Sequence, residues 1–169
     1  MIKGLFRKSF FENNLAKTKK MGVKVGRDCR IYSLKFGSEP YLITIGNHVT
    51  ITDGVTFVTH DGGIWVFRNE DPNADVFGRI HICDNVFIGV NSIILPGVTI
   101  GRNTVVGAGS VVARSFEGNG VIAGNPAKYV CSLSEYKEKL WKLRLGTKGM
   151  DDEGIIRAIA ENPGKLIHK

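Results

Sequence analysis

The sequence predicts a parallel β-solenoid, and three observations predict it: an aliphatic period of six, a corner-forming period of six locked to it, and an excess of glycine. From Ile82 the chain reads ICDNVF, IGVNSI, ILPGVT, IGRNTV, VGAGSV, VARSFE, with Ile82, Ile88, Ile94, Ile100, Val106 and Val112 in first place. The same frame occurs earlier at Ile45, Ile51 and Phe57, and a shorter outlier starts at Val25 and continues at Ile31. A helix repeats apolar residues every three or four positions and a half-buried strand every two. Six fits a chain that runs straight, turns a corner and runs straight again, stacking its coils and burying one aliphatic column. Three places after the phase residue come Asp28, His48, Gly54, His60, Asn85, Asn91, Gly97, Asn103 and Gly109. These residue types tolerate a left-handed backbone. Four places after it stand small or β-branched residues: Val49, Val55, Val86, Ser92, Val98, Thr104 and Ser110. Glycine supplies 21 of 169 residues, well above the usual ~7%.

The elements follow in order as one domain over residues 1–169. Residues 1–22 read as a helix, because Ile2, Leu5, Phe6, Phe10 and Leu15 lie near helical spacing with lysines between them. Such a basic amphipathic segment can cap the open end of the solenoid or touch an anionic membrane surface. The cap is the favoured reading, since the first coil must be covered and membrane contact is not obligatory. Residues 23–131 form the β-helix, interrupted by an excursion over 61–79. That stretch, DGGIWVFRNEDPNADVFGR, opens on Gly62-Gly63 and sets Pro72 and acidic side chains around Trp65, Phe67 and Phe77. An insertion of this length in a regular solenoid is usually functional or disordered, and its aromatics favour function. Residues 132–169 are helical: Ser134–Leu145 begins with serine and acids and ends basic, and Asp151-Asp152-Glu153 opens a second helix before Pro163.

Composition narrows the function classes. The net charge of +7 is uneven: +8 over residues 1–35, −4 over 36–127 and +3 over 128–169. A nucleic-acid reader would carry a basic stripe with interleaved aromatics; here the middle is acidic, so nucleic acid is not expected as a partner. No window approaches a membrane-spanning length, and the N-terminus lacks the apolar run and cleavage site of a signal peptide. Cys29, Cys83 and Cys131 are odd in number and widely spaced, which predicts a reducing cytoplasm and no metal site.

The catalytic search is short. No phosphate loop, nucleophile elbow, His-Glu-x-x-His pair or Cys-x-x-Cys occurs. Among the four histidines, His168 lies in the terminal tail, His81 precedes a phase residue, and His48 and His60 share one corner phase. His60 differs from His48 by position alone: it is the last residue before the excursion, where aromatic and acidic residues would fold over it. An imidazole titrating near neutrality there can be a general base or a solvated turn residue.

The segments ITIGNHVTITDGVTFVTHDGG and RIHICDNVFIGVNSIILPGVTIGRNTVVGAGSVVARSFEGNGVIAGNPAKYV resemble the hexapeptide-repeat acyltransferases. The likeness covers residues 43–130 and is strongest to the branch holding galactoside and maltose O-acetyltransferases and the O-acetylating enzymes of surface-polysaccharide assembly. It implies a left-handed parallel β-helix, a homotrimer with active sites between subunits, and acetyl-coenzyme A as donor. It further implies His60 as the base in direct acetyl transfer to a carbohydrate or nucleotide-sugar acceptor, with no metal. Carried across, the donor site falls on Val90, Ala108, Ala113, Arg114 and Lys128. Val90 replaces a serine of the galactoside enzymes, and Cys131 a basic residue. Arg114 and Lys128 suit nucleotide phosphates, and Asp53, Trp65 and Phe67 are candidates for the acceptor. An N-acetyltransferase of an amino sugar nucleotide and a non-catalytic binding module are the rival readings.

Overall fold

The computed structural model describes residues 2–167, with side chains from residue 11 onward; His168 and the side chains of Ile2, Leu5, Phe6 and Phe10 lie outside the described residues. Helix α1 (Ile2–Lys20) precedes eleven short strands wound into coils: β1 (Lys24–Val25), β2 (Arg30–Ile31), β3 (Ile43–Ile45), β4 (Thr50–Ile51), β5 (Thr56–Phe57), β6 (Ile80–Ile82), β7 (Val86–Ile88), β8 (Ile93–Ile94), β9 (Thr99–Ile100), β10 (Thr104–Val106) and β11 (Val111–Val112). A hairpin of β12 (Gly120–Gly124) and β13 (Ala127–Ser132) follows, then α2 (Leu133–Leu143) and α3 (Asp152–Ala160). From β3 to β11 successive strands fall in turn on three sheets, while the first coil meets the third face only through a bridge from Lys35 to Thr56. Sheet A holds β1, β3, β6 and β9; sheet B holds β2, β4, β7, β10, β12 and β13; sheet C holds β5, β8 and β11. Every pairing between coils is parallel.

The hexad sets this register physically. Ile82 pairs with Ile100, Ile88 with Val106 and Ile94 with Val112, each one coil on, and all six are fully buried. The expected single aliphatic column becomes two. Val49, Val55, Val86, Ser92, Val98, Thr104 and Ser110, four places on, are buried as well. Small residues belong there because the corner narrows the space, and the buried hydroxyls turn back onto corner carbonyls: Ser92 donates to Gly89, Ser110 to Gly107 and Thr104 to Gly101. Burial of an Ile side chain is worth about 1.5–3 kcal/mol, so the repeated column supplies much of what holds the stack. Val25, the outlier in the frame, is only half-buried.

Corner chemistry agrees with the period except at one position. Asp28, His48, Gly54, Asn85, Asn91, Gly97, Asn103 and Gly109 all have φ between 55° and 81°. His60 shares their phase but has no positive φ; its backbone is extended into an antiparallel bridge with Phe77. The chain leaves the solenoid at that residue instead of turning.

Both ends are covered. The carboxamide nitrogen of Asn14 in α1 donates to the Ile31 carbonyl at 3.0 Å, and Thr18 on the same helix is fully buried. At the far end β13 runs antiparallel to β12, which the hexad did not foretell. Helix α2 begins one residue earlier than expected and is capped by Ser132, whose hydroxyl accepts from the Glu135 N–H while the Glu135 carboxylate accepts from the Ser132 N–H. This reciprocal capping box satisfies two otherwise unpaired donors. Asp151 caps α3. Among the described residues no helix is long and apolar enough to cross a membrane.

Candidate active site

Strand β5 ends on sheet C, and the next residues carry the chemistry. Thr59 is fully buried and His60 emerges with 42% of its side chain exposed. The Nδ1 atom of His60 lies 3.1 Å from Oε2 of Glu39, a carboxylate one coil earlier whose side chain is only 15% exposed. The Thr59 hydroxyl donates to the same oxygen at 2.6 Å, and the Glu39 N–H points back to the Thr59 hydroxyl at 3.4 Å. The Thr59 hydroxyl is the principal cause that holds the Glu39 carboxyl below the usual carboxylate range; the His60 bond and charge add to it, and partial burial opposes them. An ionised carboxylate only accepts. His60 therefore places its proton on Nδ1, and in the neutral ring Nε2 carries the lone pair.

Glu39 was not among the residues singled out from the sequence. Asp61, the adjacent acid, is turned away: its carboxylate accepts from the Gly63 N–H and caps a 3-10 turn over Gly62–Phe67. The excursion is a stapled finger. Arg68 bonds the Asp75 carboxylate at 2.7 Å and the Pro72 carbonyl at 2.9 Å, while the Asp61 N–H reaches the Val76 carbonyl and the Gly78 N–H returns to Thr59. Phe77 meets the His60 ring edge-on at 6.4 Å between centroids. Trp65 and Phe67 are 75% and 53% exposed, so they do not pin the finger onto a neighbouring coil of the same chain.

The other candidates lie at two corners and, for Lys128, on the β12–β13 hairpin. Asp53, Val90 and Ala108 stack as one exposed column where sheet B passes to sheet C; the Asn91 N–H bonds the Asp53 carbonyl and the Gly109 N–H the Val90 carbonyl. The coils approach closely here. A Cβ on Gly89 would lie 2.5 Å from the Ala108 nitrogen, so that glycine serves the stack. Ala113 and Arg114 follow β11 on the far side of sheet C, the side from which His60 emerges, with the Arg114 guanidinium 5.1 Å from the Phe116 ring centroid. Lys128 is exposed on β13, opposite Ala123. Cys131 is half-buried and free. Among the described residues no group of three or more His, Cys, Asp or Glu side chains could hold a metal ion.

Comparison with known proteins places this geometry. The family model of bacterial transferase hexapeptides (six repeats) matches residues 79–114. Protein CapG of Staphylococcus aureus is 58% identical over 144 residues, covering 82% of this chain and 83% of CapG. The chain belongs to the hexapeptide-repeat acyltransferases. Among this family, the galactoside O-acetyltransferase of Escherichia coli is 37% identical over 98 residues, 57% of this chain and 47% of that enzyme. The hexapeptide-repeat acetyltransferase VCA0836 of Vibrio cholerae, solved with acetyl coenzyme A, aligns with a TM-score of 0.54 at 30% identity, covering 66% of this chain and 61% of that one. The hexapeptide-repeat acyltransferase described here thus spans about half the length of the galactoside enzyme.

Proposed function

We propose that the protein is an acetyl-coenzyme A-dependent O-acetyltransferase acting on a carbohydrate hydroxyl, in the assembly of a surface polysaccharide or glycoconjugate. One observation carries the reading: an imidazole held by a carboxylate through Nδ1, at the single corner where the solenoid opens into an aromatic finger. His60 is the catalytic residue in this account and Glu39 a positioning residue. Nε2 of His60 takes the proton of the acceptor hydroxyl as its oxygen bonds to the thioester carbonyl carbon; the C–S bond breaks, and the proton passes to the departing thiolate. No covalent enzyme intermediate is needed. The names of the galactoside enzyme and of the Vibrio complex support the acceptor class and the donor.

Val90, Ala108, Ala113, Arg114 and Lys128 are assigned to the donor, and Asp53, Trp65 and Phe67 to the acceptor. Asp53, Val90 and Ala108 on one side of sheet C and His60, Ala113 and Arg114 on the other support the homotrimer that the likeness to the hexapeptide-repeat acyltransferases implies. In the homotrimer of left-handed coils that the family likeness implies, the corner after sheet B of one copy faces the His60 corner of another, and each cleft is completed by two subunits. The whole chain acts as one acyltransferase domain, with its three free thiols suited to the cytoplasm.

The test is coenzyme A release over a panel of sugars, amino sugars and their nucleotides, run with wild type and His60→Ala. We expect ester formation on a hydroxyl, and a fall in turnover of about 10²-fold or more in the variant with its melting temperature kept. Unchanged turnover removes His60 from the mechanism, and amide formation on an amino sugar replaces the acceptor class.

A further inference from the structure

Resting on the reading of His60 as the base, we infer that Thr59 is a positioning residue that sets the imidazole through Glu39 and ties it to the seating of the excursion. Glu39 lies in the irregular stretch between the first and second coils, before the 3-10 turn Pro40–Leu42, and its own cap makes no side-chain bond. Nothing in the hexad holds its carboxylate in place. Thr59 does. The Glu39 N–H points to the Thr59 oxygen at 3.4 Å and the Thr59 O–H donates to Glu39 Oε2 at 2.6 Å, so a small ring closes between the glutamate's backbone and its own carboxylate. A short hydrogen bond to an ionised acceptor is about twice as strong as a neutral one, and full burial of Thr59 excludes water as a substitute.

Local sequence makes room for this ring. Gly37 has φ +71°, and a Cβ there would stand 2.6 Å from the Thr59 hydroxyl oxygen. Any larger residue would push the hydroxyl off the carboxylate. The same threonine holds the excursion by its main chain, since its carbonyl accepts the Gly78 N–H at 2.9 Å where the finger rejoins the solenoid. One buried residue therefore meets both the support of the base and the root of the loop that lies beside it. A shift of the finger's root moves Thr59, then Glu39, then the ring.

The experiment compares Thr59→Val, which keeps the shape and loses the hydroxyl, with Thr59→Ser, which keeps the hydroxyl. For Thr59→Val we expect kcat to fall about 10- to 100-fold through misorientation, KM for the donor to stay within about twofold, and Thr59→Ser to restore most of the rate. In a Glu39→Gln background Thr59→Val should add little, because both act on one contact. A second readout needs no turnover: ¹⁵N spectra of the His60 imidazole should show Nδ1–H alone in wild type at neutral ring charge, and a mixture of tautomers in Thr59→Val. A locked tautomer in that variant, or a full-rate enzyme whose turnover still depends on His60, overturns the inference. A protein without acetyl transfer but with a Thr59-dependent tautomer overturns the functional reading and leaves the positioning role standing.

Discussion

His48 and His60 occupy the same place in the repeat and do opposite things. His48 turns a corner at φ +55°, and its Nδ1 atom sits 2.9 Å from the Asn85 side-chain oxygen. Asn85 in turn donates to Asn103 and Asn103 to Asn119, at 2.8 and 2.9 Å, so His48 is the first rung of an amide ladder climbing the outside of the stack. His60 does not turn; its Nδ1 meets a carboxylate instead of an amide. The repeat fixes where a residue stands along the axis. Its chemistry is decided by what the neighbouring coil offers: the Asn85 amide to His48, and the Glu39 carboxylate to His60.

The widest separation between the two corners is expected in turnover. Placed beside His60→Ala, the variant His48→Ala should keep the wild-type rate within about twofold, since an exposed ladder residue touches no reacting atom; the coenzyme A release assay decides it. A comparable loss in both variants would mean that the two imidazoles share a task.

Acid sensitivity comes next. Glu39 titrates below its ordinary value in the folded protein, chiefly because of the Thr59 hydroxyl. Its contribution to stability is thus present above the unfolded glutamate value, about 4.3, and is lost as pH falls through the lower folded value. Thermal melts of wild type and Glu39→Gln should differ most from pH 5 upward and converge toward pH 3. Parallel curves would show that Glu39 is not linked to folding.

The ladder gives the smallest effect. Asn103→Gly keeps the left-handed corner and removes the two amide bonds, for a loss of about 1 kcal/mol in urea unfolding. Asn103→Ala should lose about 1–2 kcal/mol more, because alanine must also adopt the left-handed backbone. Equal losses would show that the backbone geometry costs nothing there.

These comparisons also mark how far the sequence reaches. The buried column, the corner residues and the excursion were legible because each obeys or breaks a period of six. Glu39 was not, because the contact spans 21 residues across a coil that stacks with an offset of 20, as Val25 on Ile45, where the regular coils use 18. Asp61, the acid adjacent in the chain, is no substitute, because a side chain next to a turn satisfies the turn's own N–H first, here that of Gly63. The column of Asp53, Val90 and Ala108 was hidden for a related reason: Ile45 pairs with Ile82, 37 residues on, so residues on either side of the insertion align only after its 19 residues are discounted. The antiparallel β13 left no trace in the hexad because it lies outside the winding.

The pairing of Thr44 with His81 proceeds as though those 19 residues did not exist. The scaffold pays nothing along its axis for whatever is inserted at that seam. Finger and trunk can therefore differ in length independently: a finger of another length or composition leaves the wound trunk in register, and only its root, where the Gly78 N–H meets the Thr59 carbonyl, has to stay in place for the base.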